Sequence, residues 1–168
     1  MIVLSGCVSY TRETYEIPVS EGRWQEPGYM YPAQYDRALY PDFPTEFSSN
    51  GEMIYYTGFN ETGQQIPIRG GLHWLYVHGG SCVNCHGVNG KGSVPIMMSA
   101  AIPSDITYDS LTSEDKHEGE HDPYTDETIK IAIRDGIDPS GEEFDYAMPK
   151  WDMSDSDLDD LIEYLKTL

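Results

Sequence analysis

The stretch Cys82-Val83-Asn84-Cys85-His86 is the part of the sequence from which the fold can be predicted. It has the C-x-x-C-H pattern, the attachment signature of c-type haem. Two thiols one helical turn apart can add to the two vinyl groups on adjacent pyrrole rings, and the histidine that follows then falls beneath the iron. Imidazole is the usual proximal ligand of haem iron. The pattern therefore predicts that Cys82 and Cys85 hold one haem c covalently and that His86 binds its iron.

Other kinds of site also use the C-x-x-C pattern. A thioredoxin-like redox pair requires a βαβ context, which this sequence does not show. A zinc site requires further ligands, and no second C-x-x-C or H-x₃₋₅-H pair lies at a suitable spacing from the cysteines. A chance occurrence of the five residues is the last alternative.

The residues after the motif strengthen the haem interpretation. Gly87, Gly90 and Gly92 extend it to C-H-G-x-x-G-x-G, and residues from about 49 to 168 resemble a class I cytochrome c domain. The resemblance implies a cytochrome c-like, all-α helical domain around one haem. It also implies that the carbonyl of Pro95 orients the proximal imidazole and so tunes the iron.

A sixth iron ligand is predicted close to the C-terminus. Met148 lies in the sequence Tyr-Ala-Met-Pro-Lys-Trp, directly before the last helical pattern, and this resembles the family's distal loop with its Met-Pro pair. Other residues that remain candidates for this position are Met97, Met98, His73, His78, His117 and His121. A thioether ligand stabilises Fe(II) and fills the sixth position, which favours electron transfer over catalysis.

Helix signals agree with an all-α domain. Ser49 and Glu52 have the spacing of a capping box, and Gly58 ends the segment. A second short helix is predicted around Leu72, Leu75 and Tyr76.

The second half of the domain has two stronger helical patterns. One begins at Thr125 and ends at Gly136, and the other begins at Ser154. Before them, residues 103–122 are predicted to be an acidic loop, longer than a minimal cytochrome c domain requires. No strand pattern is evident.

The N-terminal part has a different character. Leu4-Ser5-Gly6-Cys7 resembles the lipobox of bacterial lipoproteins, so residues 1–6 are predicted to be the remnant of a signal peptide and Cys7 to carry lipid. Residues 7–48, rich in Tyr and Pro, are predicted to form a lipid-anchored extended arm. The chain is therefore predicted at a periplasmic or other extracytoplasmic membrane surface.

The charge balance limits the partners. The chain of 168 residues has 10 Lys and Arg against 29 Asp and Glu, a formal net charge of −19. Such a surface repels phosphates, so no nucleic acid is expected as a partner. It also favours docking onto a basic partner.

These features together predict a monohaem electron-transfer protein rather than an enzyme. The predicted donors and acceptors are membrane redox complexes, such as a quinol-oxidising complex and a terminal oxidase. The chain would serve them as a mobile carrier or as a bound subunit. The alternative is a peroxidase-like or gas-binding haem protein with an open sixth position.

Overall fold

The computed structural model describes residue 44 and residues 46–93, 95–96, 99–116 and 121–168, without the side chains of His78 and Lys116. The predicted signal remnant 1–6, Cys7 and most of the arm 7–48 lie outside these residues, as do Met97, Met98 and His117.

The described chain is mostly helical, which confirms the predicted fold class. The helices are α1 (Asn50–Thr57), α2 (His73–His78), α3 (Val83–His86), α4 (Tyr108–Thr112), α5 (Asp126–Asp135) and α6 (Asp155–Leu165), with a 3₁₀ turn at Glu114–Lys116. Two strands of two residues each, β1 (Ile68–Arg69) and β2 (Lys150–Trp151), pair antiparallel with Ile68 opposite Trp151.

The predicted helix ends agree with the structure in all but one detail. Ser49 and Ser154 each accept a backbone hydrogen bond in the first turn of α1 and α6, and Thr125 forms a reciprocal capping box with Thr128. The Glu52 carboxylate, however, accepts from the backbone N–H and hydroxyl of Ser48 rather than from Ser49. The predicted box at α1 is therefore one residue wider than its usual form.

The acidic segment 103–122 is not the irregular loop that was predicted. It contains α4, in which Tyr108 and Leu111 pack against the core from one side of the helix. Five residues are too few to show a helical period among acidic neighbours, and two-residue strands are too short to show alternation. Both kinds of element are fixed by tertiary packing.

The core lies where α1 crosses α6. Tyr55 and Tyr164 lie with ring centroids 5.3 Å apart, and Tyr55 and Tyr56 form an edge-to-face pair at 5.5 Å. Around them are buried Ile54, Ile66, Ile129, Trp151, Met153, Leu158, Leu161, Ile162 and Leu165. This apolar cluster joins both ends of the domain, and α3 packs against it through Cys82 and Val83.

The crossing of α1 and α6 depends on the absence of a side chain at Gly51. A Cβ placed there would lie 1.9 Å from the carbonyl oxygen of Asp160, a backbone atom that cannot rotate away. We expect Gly51→Ala to lower the free energy of unfolding by about 1–3 kcal/mol, the usual cost of overpacking a tight contact. Chemical denaturation of the haem-loaded protein measures it.

The matched control is Ser156→Ala on the exposed side of α6. It should change the free energy of unfolding by no more than about 0.5 kcal/mol, as most surface substitutions do. Equal stabilities for the two variants would contradict the steric account of the crossing.

Candidate functional site

A cavity of about 450 Å³ lies between α3, the segment that follows it and the loop before β2. Apolar side chains form most of its wall, among them Leu75, Ile106, Leu111, Ile129, Phe144 and Leu161. Cys82, Cys85, His86 and Met148 all line it. The structure therefore brings together four of the residues that the sequence predicts for the site.

The C-x-x-C-H motif forms a single helical turn at one side of the cavity. Cys82 has helical backbone angles, and its carbonyl accepts from the backbone N–H groups of Cys85 and His86 at 3.1 and 2.9 Å. The amide oxygen of Asn84 accepts from the N–H and the hydroxyl of Ser81, and so holds the residue before the turn. Local hydrogen bonds thus place both thiols and the imidazole on the same cavity.

His86 is held in a single orientation. It is 7% exposed, and its Nδ1–H donates to the carbonyl oxygen of Ser104 at 2.9 Å. Because a carbonyl can only accept, this bond keeps the proton on Nδ1 and leaves Nε2 with a lone pair for a metal. Burial lowers the pKa of His86 below its usual value, and the Ser104 bond opposes this shift. The neutral imidazole, the form that binds iron, is therefore favoured.

The role predicted for Pro95 belongs to another residue. Pro95 is exposed, and the carbonyl that contacts the imidazole is that of Ser104. The chain at Pro103 and Ser104 lies against the residues that follow the motif. The closest approach is at Gly92, where a Cβ would lie 2.2 Å from the carbonyl oxygen of Pro103 and where φ is +56°. Only glycine permits this approach without strain. The carbonyl that the resemblance assigned to Pro95 is thus replaced at the imidazole by that of Ser104, which directly follows Pro103.

The two thiols are unsuited to the alternative C-x-x-C chemistries. Burial raises the pKa of Cys82 to about 12 and raises that of Cys85 as well. Redox-active cysteines depend on a lowered thiol pKa. In the part of the chain that the structure describes, no group of three or more His, Cys, Asp or Glu side chains is placed to hold a metal ion.

Met148 reaches the cavity on a loop shaped by Asp145. The carboxylate of Asp145 accepts from the backbone N–H of Ala147 at 2.8 Å, and its carbonyl accepts from that of Met148 at 3.0 Å. Pro149 lies against Gly71, where a Cβ would come within 2.9 Å of its ring. Asp145 itself lines the cavity. Sequence reasoning did not single out Asp145, although an Asp two residues before a bonded N–H is a typical turn signal.

The other candidates for the sixth ligand differ in position. His121 lines the cavity, with its Nδ1 2.8 Å from the carbonyl oxygen of Asp122 and its ring edge-to-face on Tyr124. His73 is exposed and is not part of the cavity wall. The remaining candidates, Met97, Met98, His117 and the side chain of His78, lie outside the described residues.

Tyr55 connects the motif to the helix crossing. Its hydroxyl donates to the carbonyl oxygen of Gly87, directly after the motif, at 2.6 Å. The ring is fully buried, and burial raises the pKa of the phenol, so it stays a neutral donor. This bond ties the motif to α1, the first helix of the domain, which in turn crosses α6, the last one.

These residues fit a covalently attached haem. Two thiols face an apolar cavity, a neutral buried imidazole offers Nε2, and a thioether lines the same space. A family model described as Cytochrome c matches residues 75–168, more than half of the chain. No curated protein and no solved structure matches the chain.

Proposed function

Because the chain belongs to the cytochrome c family, we propose that it carries single electrons between membrane redox complexes, as a mobile carrier or as a bound subunit. Membership in the family means covalently bound haem c and haem-based electron transfer. Such proteins are electron carriers rather than enzymes as a rule, and they usually act outside the cytoplasm.

The observation that supports the proposal most directly is the placement of His86. Its imidazole is buried at the cavity, its Nδ1 is engaged by Ser104, and both motif thiols line the same space. In our proposal Cys82 and Cys85 hold the haem by thioether bonds and His86 holds the iron from one side. Haem c then supplies one-electron exchange between Fe(III) and Fe(II).

The remaining residues of the site would prevent the iron from binding and reacting with small molecules. We propose that Met148 occupies the iron's sixth position, so that neither oxygen nor peroxide has access to it. The wall of the cavity is mostly apolar, and the hydrogen bond to the Ser104 carbonyl fixes the orientation of the imidazole. A site held in this way changes little when an electron arrives or leaves, which suits a carrier.

The donors and acceptors in this proposal are a quinol-oxidising complex and a terminal oxidase. The net charge of −19 supports partners with basic docking sites, because opposite charges raise the rate of encounter. It also argues against nucleic acid.

Membrane attachment through Cys7 is a further part of the proposal. The lipobox-like Leu4-Ser5-Gly6-Cys7 supports lipid on this cysteine, with residues 1–6 removed and the arm 7–48 as a tether to the domain 49–168. None of the helices in the described residues is both long enough and apolar enough to cross a membrane.

We expect Cys7→Ser to move the protein from the membrane fraction to the soluble extracytoplasmic fraction, because the anchoring acyl chains would be lost. Fractionation of cells followed by haem staining measures this, since the haem signal itself should be unchanged. A variant that stays in the membrane fraction after a high-salt wash would contradict lipid anchoring by Cys7.

Reduction by native membranes tests the function itself. The oxidised protein is mixed with membranes of the producing cells and a quinol, and the sharp α band of the reduced haem is followed in time. We expect rapid reduction that stops when the quinol-oxidising complex is inhibited, and reoxidation when oxygen is admitted. No reduction by membranes that actively oxidise quinol would contradict the proposed role.

A further inference from the structure

Residues 58–81 form a separate segment of the fold between the end of α1 and the C-x-x-C-H motif. The segment contains β1 and α2, and we call it the strap. The match to the cytochrome c family begins at residue 75, so most of the strap lies outside the matched part of the chain. Membership in the family therefore assigns no role to residues 58–74.

The strap pairs with the chain that directly follows Met148. Its strand β1 lies antiparallel to β2, with Ile68 opposite Trp151. The backbone N–H of Asp152 donates to the carbonyl oxygen of Pro67 at 2.9 Å. Within the described residues, β1 is the one strand that pairs with β2. Since β2 begins two residues after Met148, this pairing fixes the chain on one side of the thioether.

A second contact lies even closer to the thioether, at Pro149. Gly71 of the strap is buried, and a Cβ placed on it would lie 2.9 Å from the Cβ of Pro149 and 3.0 Å from Cδ1 of Leu75. Leu75, also in the strap, lines the cavity. The strap, the proline after Met148 and the cavity wall therefore meet at Gly71, with no space left for a side chain.

The strap is also fixed on itself. Its two ends meet, because a Cβ on Gly58 would lie 2.1 Å from the carbonyl oxygen of Gly80. Between β1 and α2, the hydroxyl of Tyr76 donates to the carbonyl oxygen of Gly70 at 2.7 Å. The strap therefore cannot move away from the Met148 loop as a loose segment would, without breaking these contacts.

We propose that the strap holds the Met148 loop closed and so limits how often the sixth position of the iron opens to other ligands. This inference rests on the proposed function, with Met148 as the sixth ligand, and adds the residues that keep the site closed. An external ligand can bind only after the thioether has left and the loop has moved outward. Its apparent affinity is the intrinsic affinity multiplied by the fraction of molecules with an open loop. A strap that disfavours the open loop lowers that affinity.

Titration of the oxidised protein with imidazole measures the open fraction, because imidazole replaces the thioether and removes the near-infrared methionine-to-iron band. We expect Gly71→Ala to bind imidazole about tenfold more tightly than the wild type, since the added methyl group pushes Pro149 away from the strap. A tenfold change corresponds to about 1.4 kcal/mol, a usual cost for overpacking a tight contact.

The matched control is Gly79→Ala, after the other end of α2. The backbone angle φ is +81° at Gly79 and +82° at Gly71, so both variants carry the same backbone strain. A Cβ on Gly79, however, would meet no atom of the described residues within 4 Å. Gly79→Ala should therefore keep the wild-type affinity for imidazole.

Two further variants keep the test decisive if Gly71→Ala does not fold. Tyr76→Phe removes the hydrogen bond to Gly70 but keeps the ring, and we expect it to bind imidazole about threefold more tightly. Gly51→Ala, which crowds Asp160 rather than Pro149, should lose stability but keep the wild-type affinity. This comparison separates opening of the loop from a general loss of stability.

Hydrogen exchange at the backbone N–H of Asp152 reports separation of the strap from the loop without reference to the iron, because this group donates to the strap residue Pro67. We expect the N–H to exchange faster in Gly71→Ala than in Gly79→Ala. Equal exchange rates would contradict the contact at Gly71 as the cause of closure.

The outcomes distinguish the strap from the function on which it rests. A wild type without the near-infrared band would show that Met148 is not a ligand, and the role of the strap would be overturned with the proposed ligation. A wild type that has the band, but binds imidazole as tightly as Gly71→Ala and Tyr76→Phe do, would overturn the role of the strap alone. Reduction by native membranes would then still support the carrier.

Discussion

A Cys82→Ala/Cys85→Ala variant is expected to contain no covalently attached haem and to lose its cooperative unfolding transition. Both thioether bonds would be absent, and the cavity of about 450 Å³ would have no occupant. At about 24 cal/mol per Å³ of unfilled volume, the upper limit of the destabilisation is roughly 10 kcal/mol. Typical domains have a total stability of about 5–15 kcal/mol, so the domain should not stay folded.

Haem staining after denaturing electrophoresis measures the attachment, and circular dichroism on heating measures the transition. The matched control is Cys7→Ser, which removes the third cysteine of the chain and leaves the cavity untouched. It should keep the stain and the transition. A double variant that still stains for haem, or that unfolds as sharply as the control, would show that Cys82 and Cys85 do not hold the group.

The second large effect concerns the ligand on the other side of the iron. We expect Met148→Ala to lose the near-infrared methionine-to-iron charge-transfer band and to bind carbon monoxide when reduced, because no thioether then fills the sixth position. The reduction potential should fall by on the order of 100 mV, well within the range of about 0.8 V that axial ligation spans. Spectroscopy and potentiometry of the purified variant measure all three quantities.

His121→Ala is the informative comparison, since His121 lines the same cavity and, unlike His86, is not part of the C-x-x-C-H motif. It should keep the near-infrared band and should not bind carbon monoxide. If His121→Ala opens the iron and Met148→Ala does not, the ligation is bis-histidine and the potential lower than proposed. If the wild type itself binds carbon monoxide readily, the sixth position is open, and the peroxidase-like or gas-binding alternative gains support over the carrier.

The parts of the site that the sequence could predict are those in which a side chain performs the chemistry. Cys82, Cys85 and His86 are recognisable because their spacing follows from the distance between vinyl groups and iron. Ser104 was missed because its contribution is a backbone carbonyl, which every residue has, and its position depends on how closely Gly92 lets the chain return. The family resemblance predicted such a carbonyl and assigned it to Pro95.

The same distinction applies to the fold. The longest helices, α5 and α6, were predicted from their apolar period and caps because each repeats its pattern for about three turns. The short α4 and the β1–β2 pair carry no such repeat. Their positions follow from contacts with residues distant in sequence, such as Ile68 opposite Trp151.

The crossing of α1 and α6 has a consequence for how the protein is made. Asn50 on α1 donates to the carboxylate of Asp157 on α6, 107 residues further along the chain. Contacts of such sequence separation close late, because the loop between them must first lose its freedom. The native core therefore forms only after α6 has been synthesised. Until then the two thiols of the motif remain accessible, and we expect the haem to be joined to them at this stage.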